Sequence, residues 1–408
     1  MARAPLTLPD RHPELDGLRG CACLLVLAFH YLYQSLENDS PSKWKGSLLA
    51  TLHLSWTGVD LFFVLSGFLL GGILLRHREA PNLFKVFYLR RACRILPLYF
   101  SWLSLFAFLS LILPATRFQC LNNARIPSWP YWVFCQNIFM AIKSSVGCTW
   151  LAPTWSLAVE EQFYLVLPLL ITRVPHRHLP KILCILILAA PLTRILISIY
   201  CPESKIANYV LLPCRWDTLL LGVLGAWIYH HKRYLVWMRQ ERWFITALTA
   251  MLLIALGSLW HKRFTYKSPL MVEIGYTLIA LFYVLIVLLC LRGGLLSWCF
   301  RRQSLRALGT ISYGVYLFHF GVAGLLLGSS GIGGVLFTDN PAMSHDLRIT
   351  FMVVATILTI GFAWLSFHFF ENPIVQMGRT LNYAPSASCD TAPVLSVIRE
   401  ERFDRLVA

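Results

Sequence analysis

The chain has 408 residues, 57% hydrophobic and only 14% charged, with a formal net charge of +16. Soluble domains carry about a quarter charged residues, so this composition excludes an ordinary water-soluble fold. A basic excess of this size on a soluble protein would point to nucleic acid; here its placement along the chain decides its meaning, and nucleic acid is not an expected partner.

The N-terminus contains Pro5, Pro9, Asp10 and Pro13 and reads as no cleavable signal peptide, because the first apolar run is already a full span. Uncharged or nearly uncharged runs predict helices over 18–36, 56–75, 95–113, 155–172, 181–199, 210–229, 243–260, 272–291, 309–328 and 349–370. Runs near 20 residues match a hydrocarbon core of ~30 Å. Lipid offers the backbone no hydrogen-bond partner, so each run must be helical. The expected fold is all-α, a polytopic transmembrane helical bundle of about ten spans over 1–374, followed by a polar tail over 375–408.

With both termini in the cytoplasm, the inner segments hold 24 Lys/Arg and the outer loops 10, and Arg194 and Arg215 fall within spans. That asymmetry satisfies the positive-inside rule. A multi-pass protein of a plasma membrane is the expectation.

The loop 114–154 is the longest, with Pro127, Pro130, Trp129, Trp132 and Trp150. It reads either as an interfacial aromatic segment or as a lid over a site. Of 12 cysteines, Cys120, Cys135, Cys148 and Cys201 fall outside, with Cys214 nearby. A disulfide among them is open in an oxidising compartment, with no pairing indicated. No CxxC pair or His/Cys ligand set occurs, so no metal is expected; His176 and His178 read as a solvated pair in a basic loop.

Ionisable groups within spans are costly and mark function by default. The inner group is Arg19, Arg90, Arg91 and Arg94. Topology alone accounts for Arg76, Arg78 and Lys85. Arg91 and Arg94 lie three apart on one helical face, and guanidinium forks suit phosphate oxygens.

The outer group comprises His30, Asp60, Glu160, Glu161, Arg215 and Asp217, which depth along the helices places in one shallow layer. A histidine beside carboxylates is a general-base arrangement. A sealing polar network is the structural alternative; a histidine, an aspartate and two glutamates at one depth favour a reaction site. Arg19 and His30 are eleven residues apart, which on a regular helix puts them on one face ~16 Å apart. A long thin ligand with phosphates at one end and a reactive atom at the other, such as coenzyme A, fits that outline. Cys93 between the arginines is a less favoured nucleophile, because it faces the phosphate end. Ser66 lacks the first glycine of GxSxG, Val64 standing there, and no HxxxxD motif occurs. A transporter or flippase for a carbohydrate or lipid-linked intermediate is the rival reading.

Seven blocks in order carry a family resemblance. Glu14-Leu-Asp-Gly-Leu-Arg-Gly20 leading to His30, Gly58-Val-Asp-Leu-Phe-Phe-Val-Leu-Ser-Gly-Phe68 and Arg91-Ala-Cys-Arg94 come first. Trp155-Ser-Leu-Ala-Val-Glu-Glu-Gln-Phe-Tyr164, Arg215-Trp-Asp-Thr-Leu-Leu-Leu-Gly222, Ile311-Ser-Tyr-Gly-Val-Tyr-Leu-Phe-His319 and Phe370-Glu-Asn-Pro373 follow. This pattern resembles the acyltransferase 3 family of membrane-bound O-acyltransferases.

The resemblance implies transfer of a short acyl group, commonly acetyl, from acyl-CoA on the cytoplasmic side. The acceptor would be a hydroxyl of a sugar, a lipid-linked glycan or a small glycosylated metabolite. It implies His30 as the catalytic histidine, with Arg19, Arg91 and Arg94 serving the donor. Glu160, Glu161 and Tyr164 would shape the centre, and His319 and Glu371 match later blocks. Asp60 or a glutamate would orient the imidazole, and Tyr164 or Arg215 would steady an oxyanion. Some members append an extracytoplasmic hydrolase-like domain; the short tail here implies that transfer finishes within the membrane portion or on a partner.

Overall fold

The computed structural model describes residues 12–33, 52–114, 118–122, 125–204, 206–230, 268–327 and 345–385, with isolated positions at 49 and between 246 and 257. Among them every regular element is a helix. Helix α1 (Pro13–Leu27) continues into a π turn, Ala28–Tyr33. Then follow α2 (Gly58–Arg76) and α3 (Leu83–Ile112). Two short helices, α4 (Trp129–Trp132) and α5 (Gln136–Lys143), lead to α6 (Thr154–Arg173). Beyond it come α7 (Leu179–Tyr200), α8 (Ala207–Val210), α9 (Leu212–His230) and α10 (Tyr276–Arg292). The chain then forms α11 (Leu295–Phe300), α12 (Gln303–Thr310), α13 (Ser312–Leu327), α14 (His345–Ser366) and α15 (Asn372–Arg379).

Seven of these helical stretches are long and apolar enough to cross a membrane, and the α12–α13 pair, bent by 71°, makes an eighth. Helix α6 is also 20 residues long but carries Glu160 and Glu161. The helix expected over 243–260 lies largely outside the described residues. Elsewhere the predicted runs recur, most with extended ends: α3 begins at Leu83, not at 95, because the segment holding Arg90, Arg91 and Arg94 is itself helical.

Apolar surface does not drive helices together in lipid, so close backbone packing by small residues does the work. Gly67 of α2 and Gly222 of α9 provide it. A Cβ on Gly67 would lie 1.9 Å from the Leu219 carbonyl oxygen, and one on Gly222 2.2 Å from that of Val64. Helices α1 and α12 meet the same way, with Gly20 against the Leu305 carbonyl and Gly309 against that of Asp16. Buried Glu14 accepts hydrogen bonds from Ser297 and Arg301, tying the start of α1 to α11 and the turn that follows it. Helices α1, α2, α3, α6 and α13 surround one interior space.

The loop between α3 and α6 is built into the bundle. Trp150 is buried and stacks on Trp102 at 4.2 Å. Gln136 donates to the Tyr99 hydroxyl and the Thr154 carbonyl, and Asn137 and Gln162 bond each other. Trp129 and Trp132 remain exposed, as interfacial aromatics would. The eleven described cysteines are free thiols, Cys120 and Cys148 among them buried.

Candidate functional site

A cavity of about 190 Å3 opens between α1, α2, α3, α6 and α13. Arg19, Arg91 and Arg94 line it together with Ser66, Glu160 and Tyr164. Phe62, Phe63, Ile95, Tyr313 and Tyr316 form its apolar wall. One turn of α3 supplies two guanidiniums, and α1 supplies the third from the facing side. Arg19 donates to Asp16 at 3.3 Å. Arg91 and Arg94 have no hydrogen-bond partner among the described residues. Three cations sharing a partly enclosed space repel one another, and an anion with several oxygens would relieve that repulsion.

Glu160 turns into this same cavity. Its Oε1 accepts from the Ser66 hydroxyl at 2.8 Å and its Oε2 from the Tyr164 hydroxyl at 2.8 Å. The carboxylate therefore stands beside the arginines and not in a separate outer layer. Depth along a helix fixes height but not direction, which is why the sequence grouped Glu160 with His30. Glu161, the next residue, is half-buried, with its Oε1 buried and unbonded among the described residues.

His30 lies in the π turn that ends α1, beyond the residues lining the cavity. The eleven-residue face argument assumes regular turns from Arg19 to His30, and the π turn from Ala28 breaks that assumption. The ring Nδ1 sits 3.0 Å from the Val26 carbonyl oxygen. A carbonyl only accepts, so Nδ1 carries the proton and Nε2 holds the lone pair. The expectation that Asp60 or a glutamate orients this imidazole gives way to a backbone carbonyl from the same helix.

His319 is the neighbour sequence reasoning failed to pair with His30. The two ring centroids are 5.0 Å apart. His319 is fully buried, its Nδ1 donates to the Tyr316 carbonyl, and its Nε2 is unbonded among the described residues. Tyr316 bridges toward the cavity: its hydroxyl bonds Ser156 at 2.6 Å, and its ring lies 5.7 Å from His319 and 6.0 Å from Phe62. The order from the arginines outward is cavity, Tyr316, His319, His30.

Asp60 is committed elsewhere. It forms a fully buried ion pair with Arg215, whose guanidinium lies 4.1 Å from the Tyr276 ring centre and 5.5 Å from that of Tyr209. Arg194 and Asp217 make a second buried pair at 2.9 Å, with Thr277 donating to Asp217 at 2.6 Å. These pairs link α2, α7, α9 and α10. Each is far better explained as bundle cement than as a partner of His30. Glu371, in a π turn after α14, accepts from Ser366 at 3.0 Å and abuts Gly314 of α13. Among the described residues no cluster of three metal-ligating side chains occurs.

The family model described as an acyltransferase domain matches residues 12–368. The YrhL protein of Bacillus subtilis is 30% identical over 391 residues, covering 90% of this chain and 55% of its own length. The peptidoglycan O-acetyltransferase OatA of Listeria monocytogenes is 27% identical over 384 residues, 91% of this chain and 57% of that protein. The O-acetyltransferase OatA of Staphylococcus aureus is 24% identical over 413 residues, 96% of this chain and 62% of that protein. The chain thus spans little more than half the length of the relatives it matches. No solved structure matches.

Proposed function

The chain belongs to the acyltransferase 3 family of membrane enzymes that transfer acyl groups, and from that premise we propose that it moves an acetyl group from acyl-CoA in the cytoplasm to a sugar hydroxyl of a cell-wall glycan. The observation that carries the donor half is the convergence of Arg19, Arg91 and Arg94 on one cavity, with the latter two unbonded among the described residues. Support for the acceptor comes from relatives whose names assign them to peptidoglycan O-acetylation. The plasma membrane, about ten spans and cytoplasmic termini complete this reading, in keeping with the excess of inner Lys/Arg.

The donor's phosphates rest on the three guanidiniums, and its thioester extends past Tyr316 toward the histidines. His30 Nε2 takes the proton of the acceptor hydroxyl as that oxygen attacks the thioester carbonyl. The C–S bond breaks, the ester forms, and the imidazolium returns its proton to the leaving thiolate. The Nδ1–H bond to Val26 keeps the reactive lone pair on Nε2 throughout. The same lone pair serves if the acyl group rests briefly on His30; initial-rate plots that are parallel and not intersecting report that route.

The test is release of free thiol from acetyl-CoA by purified wild type and His30→Ala, with membrane insertion of both verified. Turnover lost only in the variant supports the reading. Equal release from both removes His30 from the chemistry.

A further inference from the structure

We infer that Asn372–Ala384, the end of the helical stretch Thr350–Arg379 together with the chain that follows it, is a buttress that positions the arginine cluster for its anionic donor. The inference rests on the proposed donor reading. The segment follows the family-matched residues, which end at 368.

Helix α15 packs along the start of α3, behind the arginines. A Cβ on Gly378 would lie 3.0 Å from the Cys93 Cβ and 3.7 Å from the Arg90 Cα, so the glycine lets α15 pack closely on α3, and a larger residue there would press on the Cys93 side chain. That contact falls on the turn Arg91–Arg94.

The chain then crosses the front of α3. Arg90 donates through Nε and Nη2 to the Leu381 carbonyl at 2.9 and 2.5 Å. Its guanidinium also lies 5.1 Å from the centre of the Tyr383 ring. Tyr383 stacks on His77 with centroids 4.1 Å apart and planes 11° from parallel. Asn82 closes the clasp from both sides, donating to the Asn382 carbonyl at 2.9 Å and accepting from the Ala384 amide at 2.8 Å. The α2–α3 turn and the first turns of α3 are thus held by one strap.

Arg90 faces the strap while Arg91 and Arg94 face the cavity. This division has a physical consequence. Guanidiniums gathered without an anion push apart, and a free helix end would turn to separate them. The strap opposes that rotation, so the donor meets a cluster already in place and the ordering cost falls outside the binding step. Arg90, Asn82, Gly378 and Tyr383 are positioning residues in this scheme; none needs to touch the donor.

The experiment measures thiol release against acetyl-CoA concentration, and CoA binding by calorimetry, for wild type, Tyr383→Ala, Asn82→Ala and Tyr383→Phe. The two alanine variants are expected to raise the donor KM and the CoA Kd about tenfold with kcat within about twofold. Tyr383→Phe keeps the ring stack and should behave as wild type. If Tyr383→Ala is not recovered folded, Asn82→Ala alone carries the same expectation, because it deletes only two hydrogen bonds. An active wild type with unchanged KM and Kd in the alanine variants overturns the buttress and leaves the donor reading standing. A wild type that neither binds CoA nor releases thiol overturns both.

Discussion

His30 and His319 stand 5.0 Å apart, ring centre to ring centre, and each binds a carbonyl of its own helix through Nδ1, Val26 for the first and Tyr316 for the second. Tyr31, the neighbour of His30, donates its hydroxyl to the backbone carbonyl of His319 at 2.5 Å. One hydrogen bond therefore locks the two helices at the level of both rings. The shared tautomer leaves two Nε2 lone pairs, which suits the site to take a proton.

Replacing the two histidines should separate their roles. His30→Ala is expected to lower kcat by about 10²–10⁴-fold, the usual contribution of a general base. His319→Ala should cost less and act through the placement of His30. Initial rates of thiol release decide it; a His319 variant more impaired than the His30 variant would reverse the assignment.

Arg91→Lys and Arg94→Lys preserve charge but lose the planar fork. Each should raise the donor KM by about tenfold with a smaller change in kcat. If kcat alone falls, the arginines act in the reaction step and not in holding phosphate.

Glu160→Gln tests the cavity wall. The carboxylate accepts from both Ser66 and Tyr164, whereas an amide nitrogen cannot accept. One hydroxyl then loses its acceptor, at about 1–3 kcal/mol. Thermal unfolding in detergent should show a modest loss of stability. A variant as stable as wild type would mean that those bonds are not formed.

The Asp60–Arg215 pair is fully buried. Removing one partner leaves an uncompensated charge, so Asp60→Ala or Arg215→Met alone should destabilise by about 3–5 kcal/mol. Replacing both should cost less than the single changes added together. Strict additivity would argue against a direct pair.

Cysteine reactivity checks which thiols are buried. Burial pushes the Cys120 thiol up to about 11 and that of Cys148 up to about 12, while Cys201 is exposed. The thiolate is the reactive form. At pH 8 a membrane-impermeant maleimide should label Cys201 first, and labelling of the buried pair should rise about tenfold per pH unit as the thiolate fraction grows. Rapid labelling of Cys148 at pH 8 would contradict its burial.

Much of this protein is legible in the sequence for one physical reason. Lipid forces every spanning backbone to satisfy itself, so apolar run length alone dictates helices, and Leu179–Tyr200 and Met271–Arg292 appear almost where the runs predict. Ordered motifs likewise announce the family, and Arg19, Arg91 and Arg94 do share a cavity. Partner choice is another matter. Depth arithmetic put His30, Asp60 and Glu160 in one layer, yet each faces a different neighbour: His319, Arg215, and the Ser66–Tyr164 pair. Asp60 and Arg215 lie 155 residues apart, and nothing local encodes their meeting. Helix adjacency, set by close contacts such as Gly67 on Gly222, and the π turn that redirects His30, are properties of the packed bundle. The sequence determined what each helix carries; only the tertiary structure decided what each side chain meets, because in lipid the contacts that choose neighbours are long-range and steric.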